Sequence, residues 1–244
     1  MPAHPPSASP VFHTTRWSVI LAAQHEESPD AMAAMEILCR MYWYPLYAYV
    51  RRSGHGPHDA QDLTQDFFAR LIAKEWISSV APEHGRFRNF LLVAMKRYLA
   101  KEWHRERTLK RGGAFAFVPL DGTEAEQRYA SEPGVGADVL YERRWALTLL
   151  DATLDRLNQE FSGHERSGQF DQLKEWLTAG RGEIPYDELA QKLGMSEGAA
   201  RVAVHRMRKR FRELFREAIA ETVSEPGEVE GEMRHLAATL GNSA

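Results

Sequence analysis

The chain has one cysteine, no long apolar run and little net charge, and each shortage excludes something. A single cysteine, Cys39, rules out an internal disulfide, and its setting in L-C-R-M-Y-W-Y marks a buried small residue rather than a nucleophile. No apolar run approaches the roughly 18 residues that cross a bilayer, so membrane insertion is not expected. The first ten residues hold four prolines and no signal-peptide core, which points to a disordered start over residues 1–11 and a cytoplasmic protein. Metal-ligand sets are equally thin. His55 and His58 stand beside Asp59 and Asp62, but no cysteine or further close histidine completes a tetrahedral set. No metal, cofactor or catalytic residue is therefore expected, and a metal-dependent hydrolase is the remote alternative. At 244 residues, 43% hydrophobic and 27% charged, the chain suits one or two small globular domains.

What is present is positive charge gathered in two places within a total of −3. The first lies in I-P-Y-D-E-L-A-Q-K-L-G-M-S-E-G-A-A-R-V-A-V-H-R-M-R-K-R-F-R-E-L-F, from Ile184 to Phe215. Pro185 can open a helix, because its missing N–H is one that a first turn leaves unbonded, and Tyr186, Leu189, Ala190 and Leu193 then recur with one buried stripe. Gly194 follows where a left-handed cap is wanted. Ser196 is placed to accept a hydrogen bond from the next helix's first N–H groups. The spacing predicts a helix-turn-helix whose second helix buries Ala200, Ala203, Val204, Met207, Phe211 and Leu214. From Arg201 to Arg216 that helix carries seven Arg or Lys against one Glu, a net +6 on an element shaped for a major groove. Base readout falls to Arg201, Val202, His205 and Arg206, with Arg208, Lys209 and Arg212 on phosphates.

The second basic stretch, Arg86 to Arg111, has nine Arg or Lys against two Glu, a net +7. Phe87, Leu91, Ala94, Met95 and Tyr98 share one side of a long helix, with Lys96, Arg97 and His104 roughly opposite. Cations interleaved with rings suit single-stranded DNA, whose exposed bases stack on aromatics while its phosphates meet Arg and Lys. Arg88, Asn89, Lys96, Arg97 and Lys101 are the candidates for the strand backbone, and Phe90 or Trp103 for unstacked bases.

Upstream, a helix is expected from Thr15, and one or two core helices from Ala31 to Arg52 with Pro45 as a start or kink. The next helix begins near Asp59, D-A-Q-D-L-T-Q-D-F-F-A-R-L, burying Ala60, Leu63, Phe67 and Leu71. Asp62, Gln65 and Asp66 project from its other side. Acids in a first turn are favoured by the helix dipole, so a solvated or protein-binding face, with Phe68 and Ile72 beside the acids, is preferred to a metal site. Trp76 to Gly85 reads as a loop. Residues 112–138 lack stable periodicity and read as a flexible linker, with an extended piece at Phe115 to Val118. Helices resume at Tyr141 to Asn158 and Phe170 to Ala179.

These residues resemble the sigma factors of bacterial RNA polymerase, among them the extracytoplasmic-function type that keeps only regions 2 and 4. D-L-T-Q-D at Asp62 to Asp66 is similar to the region 2.2 motif. The resemblance implies that Asp62, Leu63, Gln65 and Asp66 dock on the clamp helices of the largest polymerase subunit. R-F-R-N-F-L-L-V-A-M-K-R-Y-L-A-K-E-W resembles regions 2.3 and 2.4, which melt and read the −10 element. S-E-G-A-A-R-V-A-V-H-R-M-R-K-R resembles region 4.2, which reads the −35 element in the major groove. Ala199 and Val202 stand where the family often has Thr and Ser, and Arg97 where an Asn is common, so the promoter sequence is not implied. The expectation is an all-α protein that is not an enzyme. It has two small helical domains, 12–111 and 139–222, joined by the linker 112–138. Its partners are core RNA polymerase, promoter DNA and an anti-sigma factor. A helix-turn-helix repressor or activator acting without polymerase is the alternative, to which the second basic helix and the D-L-T-Q-D face are superfluous.

The tail lies outside that pattern. Glu217 to Ala244 holds six acids and one arginine, a net −5, directly after the basic recognition helix. Val229, Met233, Leu236, Ala237 and Leu240 give an amphipathic helix within an acidic extension, 223–244. The charge contrast suggests that this tail masks the DNA-binding face of the C-terminal domain; a solvated solubility tail is the other reading.

Overall fold

Between Met41 and Val50 every residue is buried, a run with no polar face for solvent, and it lies in one helix, α1 (Pro29–Arg52). A helix apolar all round must be enclosed by others. The computed structural model describes residues 29–73, 85–106, 122–162, 167–180, 182–223 and 225–241, and among them every regular element is helical. After α1 come α2 (Pro57–Ile72), α3 (Phe87–Glu106), α4 (Gly122–Ala130), α5 (Ala137–Ser162), α6 (Ser167–Lys174), α7 (Tyr186–Leu193), α8 (Glu197–Ala220) and α9 (Val229–Gly241). The expected disordered start, the helix from Thr15, the Trp76 loop up to residue 84 and the extended piece at 115–118 lie outside the described residues. Among those described, no helix is long and apolar enough to cross a membrane.

The chain divides into two compact units, one of residues 150–218 and one that joins 29–149 to 219–241. The boundary therefore falls inside α5 and again inside α8, not in the stretch 112–138 expected as a linker.

In the larger unit α1 supplies the centre. Tyr42 meets Phe87 of α3 edge-on at 5.6 Å, Trp43 stacks on Tyr47 one turn later at 5.1 Å, and Phe67 of α2 meets Tyr98 of α3 at 6.0 Å. Pro45 lies inside α1, where packing on every side compensates a hydrogen bond lost for about 3 kcal/mol. Cys39 is 2% exposed and burial pushes its thiol up to about 12, so it stays protonated and unreactive. The stretch after residue 121 holds a helix that grips α1. Ala125 is buried, and Glu126 accepts hydrogen bonds from Arg51 at 2.6 and 2.8 Å and from the Tyr47 hydroxyl at 2.6 Å. Tyr44 donates to Glu132 at 2.6 Å, Arg144 pairs with the same carboxylate, and the Arg128 guanidinium lies 4.2 Å over the Tyr44 ring. Burial and these acceptors hold the Tyr44 and Tyr47 hydroxyls well above the usual phenol range.

The smaller unit closes on Leu157, Phe170, Leu173, Ile184, Leu189, Ala200, Val204, Met207 and Leu214, drawn from α5 to α8 and the turn before α7. Its turn chemistry follows the residues. Gly194 takes the left-handed conformation, φ 64° and ψ 35°, and the Met195 N–H bonds back to the Ala190 carbonyl at 3.0 Å. Ser196 Oγ accepts from the Ala199 N–H at 3.3 Å and so caps α8.

Candidate nucleic-acid interface

The helix-turn-helix leaves an outward ridge on α8. Val202, His205, Arg206, Lys209 and Arg212 are exposed, while Ala200, Val204, Met207 and Leu214 face the core. Val202 is 48% exposed, an apolar group among cations at the outer face of α8. The cations are not equivalent. Arg201 bonds Glu197 at 2.5 Å and lies 4.2 Å over the Tyr186 ring, which fixes its direction at the start of the helix. Arg210 forms a two-point pair with Glu160 of α5 at 2.7 and 2.8 Å, and that carboxylate raises the Arg210 pKa further while its own is lowered. Lys209 stands 3.8 Å from Glu213.

Arg208 departs from its expected role on phosphate. It donates to the Trp176 carbonyl at 2.9 and 2.5 Å and to the Ala179 carbonyl at 2.5 Å, so it ties the turn after α6 to α8. Carbonyls of a helix end need such donors, and a guanidinium supplies several at once.

The larger unit carries the second basic helix. Along α3, Asn89, Val93, Lys96, Ala100 and Trp103 form an exposed row, with Arg97 and Lys101 beside it. Trp103 is 53% exposed and Val93 45%, so one large ring and one aliphatic group stand in solvent among cations. Lys96 pairs with Asp138 at 2.7 Å, a contact that lifts its pKa. Phe90 is half-buried and stacks on Phe87 at 5.8 Å, which makes it a support for the face rather than a ring open to bases.

Arg88 is the principal correction. Expected on the strand backbone, its side chain is 2% exposed. Its Nε donates to Glu142 at 2.9 Å, its other end lies 2.5 Å from Glu232 of α9, and its guanidinium sits 4.3 Å over Trp145. Two carboxylates outweigh the desolvation that opposes a buried charge, and the Arg88 pKa is raised. A sequence signal existed, since Arg88 falls three before Leu91 and seven before Met95, inside the apolar arc of its helix.

The tail supplies one of those two carboxylates. Helix α9 belongs to the larger unit, where Val229 and Leu236 are buried and Glu232 pairs with Arg86, just before α3, and with Arg88 of α3. Glu217, within α8 and before the extension, lies 3.5 Å from Arg210.

On α2, Asp62 and Asp66 are exposed and Leu63 and Gln65 half-buried, so the four expected docking residues share an accessible face. Phe68 does not join them, being fully buried, whereas Ile72 is 37% exposed. His58 and Asp62 pair at 3.1 Å in open solvent. Among the described residues no group of three or more His, Cys, Asp or Glu is placed to hold a metal ion. In comparisons with known proteins, no family model, curated protein or solved structure matches the chain.

Proposed function

We propose that the chain is a sigma factor of the extracytoplasmic-function type, which binds core RNA polymerase and directs it to promoters. The observation that carries this reading is the presence of two differently built basic helices in two units. Helix α8 follows a well-capped turn and presents a narrow ridge suited to duplex DNA, with Val202, His205 and Arg206 toward bases and Lys209 and Arg212 toward phosphates. Helix α3 presents Asn89, Lys96, Arg97, Lys101 and Trp103, cations and a ring suited to a separated strand. A duplex-binding regulator needs the first and has no use for the second.

The acidic face of α2, Asp62, Leu63, Gln65 and Asp66, is the surface assigned to the polymerase clamp helices, and the protein acts in the cytoplasm where polymerase and promoters are. An anti-sigma factor is the partner that would hold it off polymerase. No covalent step is performed. Binding, positioning and stabilisation of the opened strand are the whole activity.

Run-off transcription tests the reading. Core polymerase alone should yield no discrete product from a library of bacterial genomic fragments, and core polymerase with the full chain should yield discrete starts. Fragments bound by the chain but never transcribed would favour a helix-turn-helix regulator instead.

A further inference from the structure

At the start of α3 a carboxylate is held where the helix supplies none of its own. The first turn of α3 contains no acid, and its positive end is flanked by Arg86 and Arg88. The anion comes from α9, near the other end of the chain. Glu232 is fully buried, with one oxygen 2.8 Å from Arg86 and the other 2.5 Å from Arg88. Among the described residues these two guanidinium groups are its partners, and no hydroxyl or backbone N–H joins them. A buried carboxylate with no other donor keeps its charge only while both arginines stay against it. The rest of α9 is lightly anchored, since Arg234, His235, Ala237 and Ala238 are exposed and only Val229, Glu232 and Leu236 are buried.

The charge balance says what would take its place. Arg86 and Arg88 face Glu142 and Glu232, two against two, with His235 3.6 Å from Glu142 at the rim. When α9 leaves, two arginines remain with one carboxylate, and one negative charge with two oxygens is missing. A phosphodiester carries that charge and those oxygens, and its geometry matches guanidinium donors.

We propose that Arg86 and Arg88 form an anion site at the start of α3, occupied by Glu232 of α9, and that a phosphodiester of a single nucleic-acid strand displaces the helix from it. The tail is thus a competitor for strand binding on α3. This rests on the reading of α3 as a strand-binding helix and adds the site and its intramolecular rival.

Hydrogen exchange on the unmodified full chain tests it, with a mixed-sequence single-stranded DNA oligonucleotide, inorganic phosphate and chloride compared at equal ionic strength. Bound oligonucleotide should strip protection from the amides of 229–241, and phosphate should do so weakly or not at all. Oligonucleotide that binds, by fluorescence anisotropy, while α9 keeps its protection would overturn the competition and leave strand binding intact. Opening by phosphate without any oligonucleotide binding would overturn the strand as ligand and the reading of α3 together. No effect from either would overturn the site. A second measurement compares Glu232→Gln with Glu230→Gln, the latter an exposed acid on the same helix. The first should bind the oligonucleotide about five- to thirty-fold more tightly and the second within about twofold of the unmodified chain. Equal affinity of Glu232→Gln, with unchanged helical circular dichroism, would contradict the proposal.

Discussion

Helices α3 and α8 carry similar charge in the sequence, but their arginines are neutralised in different ways. On α8, Arg210 meets Glu160 and Glu217 at a surface where its side chain is 36% exposed, and Arg201 meets Glu197 one turn away. On α3, Arg88 is enclosed between Glu142 and Glu232, residues 54 and 144 positions later in the chain. A count of basic residues therefore overstates what a ligand can meet, and it does so unequally. Pairs at an exposed surface leave the helix open, whereas a buried pair withdraws the cation.

The largest expected effect follows from that difference. Arg88→Met leaves Glu232 buried with Arg86 alone and should cost about 3–5 kcal/mol of stability, while Arg210→Met, at a solvated pair, should cost about 0–1 kcal/mol. Urea denaturation of both variants checks this. Equal losses would mean that burial does not separate the two helices.

Within α8 the comparison sharpens between neighbours. Arg206→Ala should weaken discrimination between an enriched duplex and random duplex by roughly 1–3 kcal/mol. Arg208→Ala should leave discrimination alone and lower the melting temperature, because its guanidinium serves the carbonyls of Trp176 and Ala179. Competition binding with thermal unfolding separates the two. Within α3, Arg97→Ala should reduce open-complex formation on a duplex promoter more than on a template already melted at −10, and equal loss on both would reduce Arg97 to general affinity.

The smallest effect is in acid. Hydrogen bonds from Arg51 hold the Glu126 carboxyl below its ordinary value of 4.5, and those from Arg210 do the same for Glu160. A carboxyl with a lowered folded pKa contributes stability that is present above the unfolded value and lost as pH falls through the folded one. Glu126→Gln and Glu160→Gln should each flatten the loss of stability below about pH 4.5. The change should be smaller for Glu160, whose partner Arg210 is more exposed than Arg51.

What could be read in the sequence was what is encoded locally. Pro185, Gly194 and Ser196 specify the turn by their own backbone chemistry, and the helix-turn-helix stands where they put it. The acids of α2 and the apolar side of α3 likewise follow from spacing along one helix. Less could be read where the cause lies far along the chain. The run around Trp43 and Tyr47 has no stripe because α1 is buried all round from Met41 to Val50, so its periodicity left one or two helices open. Helix α4 is short and charged, and its hold on Arg51 and Tyr47 is set by tertiary pairing. In the tail the amphipathic helix was visible, but not its seat. Glu232 falls three residues after Val229 and four before Leu236, on the apolar stripe itself, a position that marks a buried and paired acid.

The measurement that bears most directly on the sigma reading is co-purification of the full chain with core RNA polymerase. The unmodified chain should be retained in stoichiometric amount, and Asp62→Lys with Asp66→Lys should fold with a stability within about 0.5 kcal/mol yet be lost from the complex, since like charges across an interface cost several kcal/mol. Failure of the unmodified chain to be retained, or retention of the folded double variant at the same level, would contradict it.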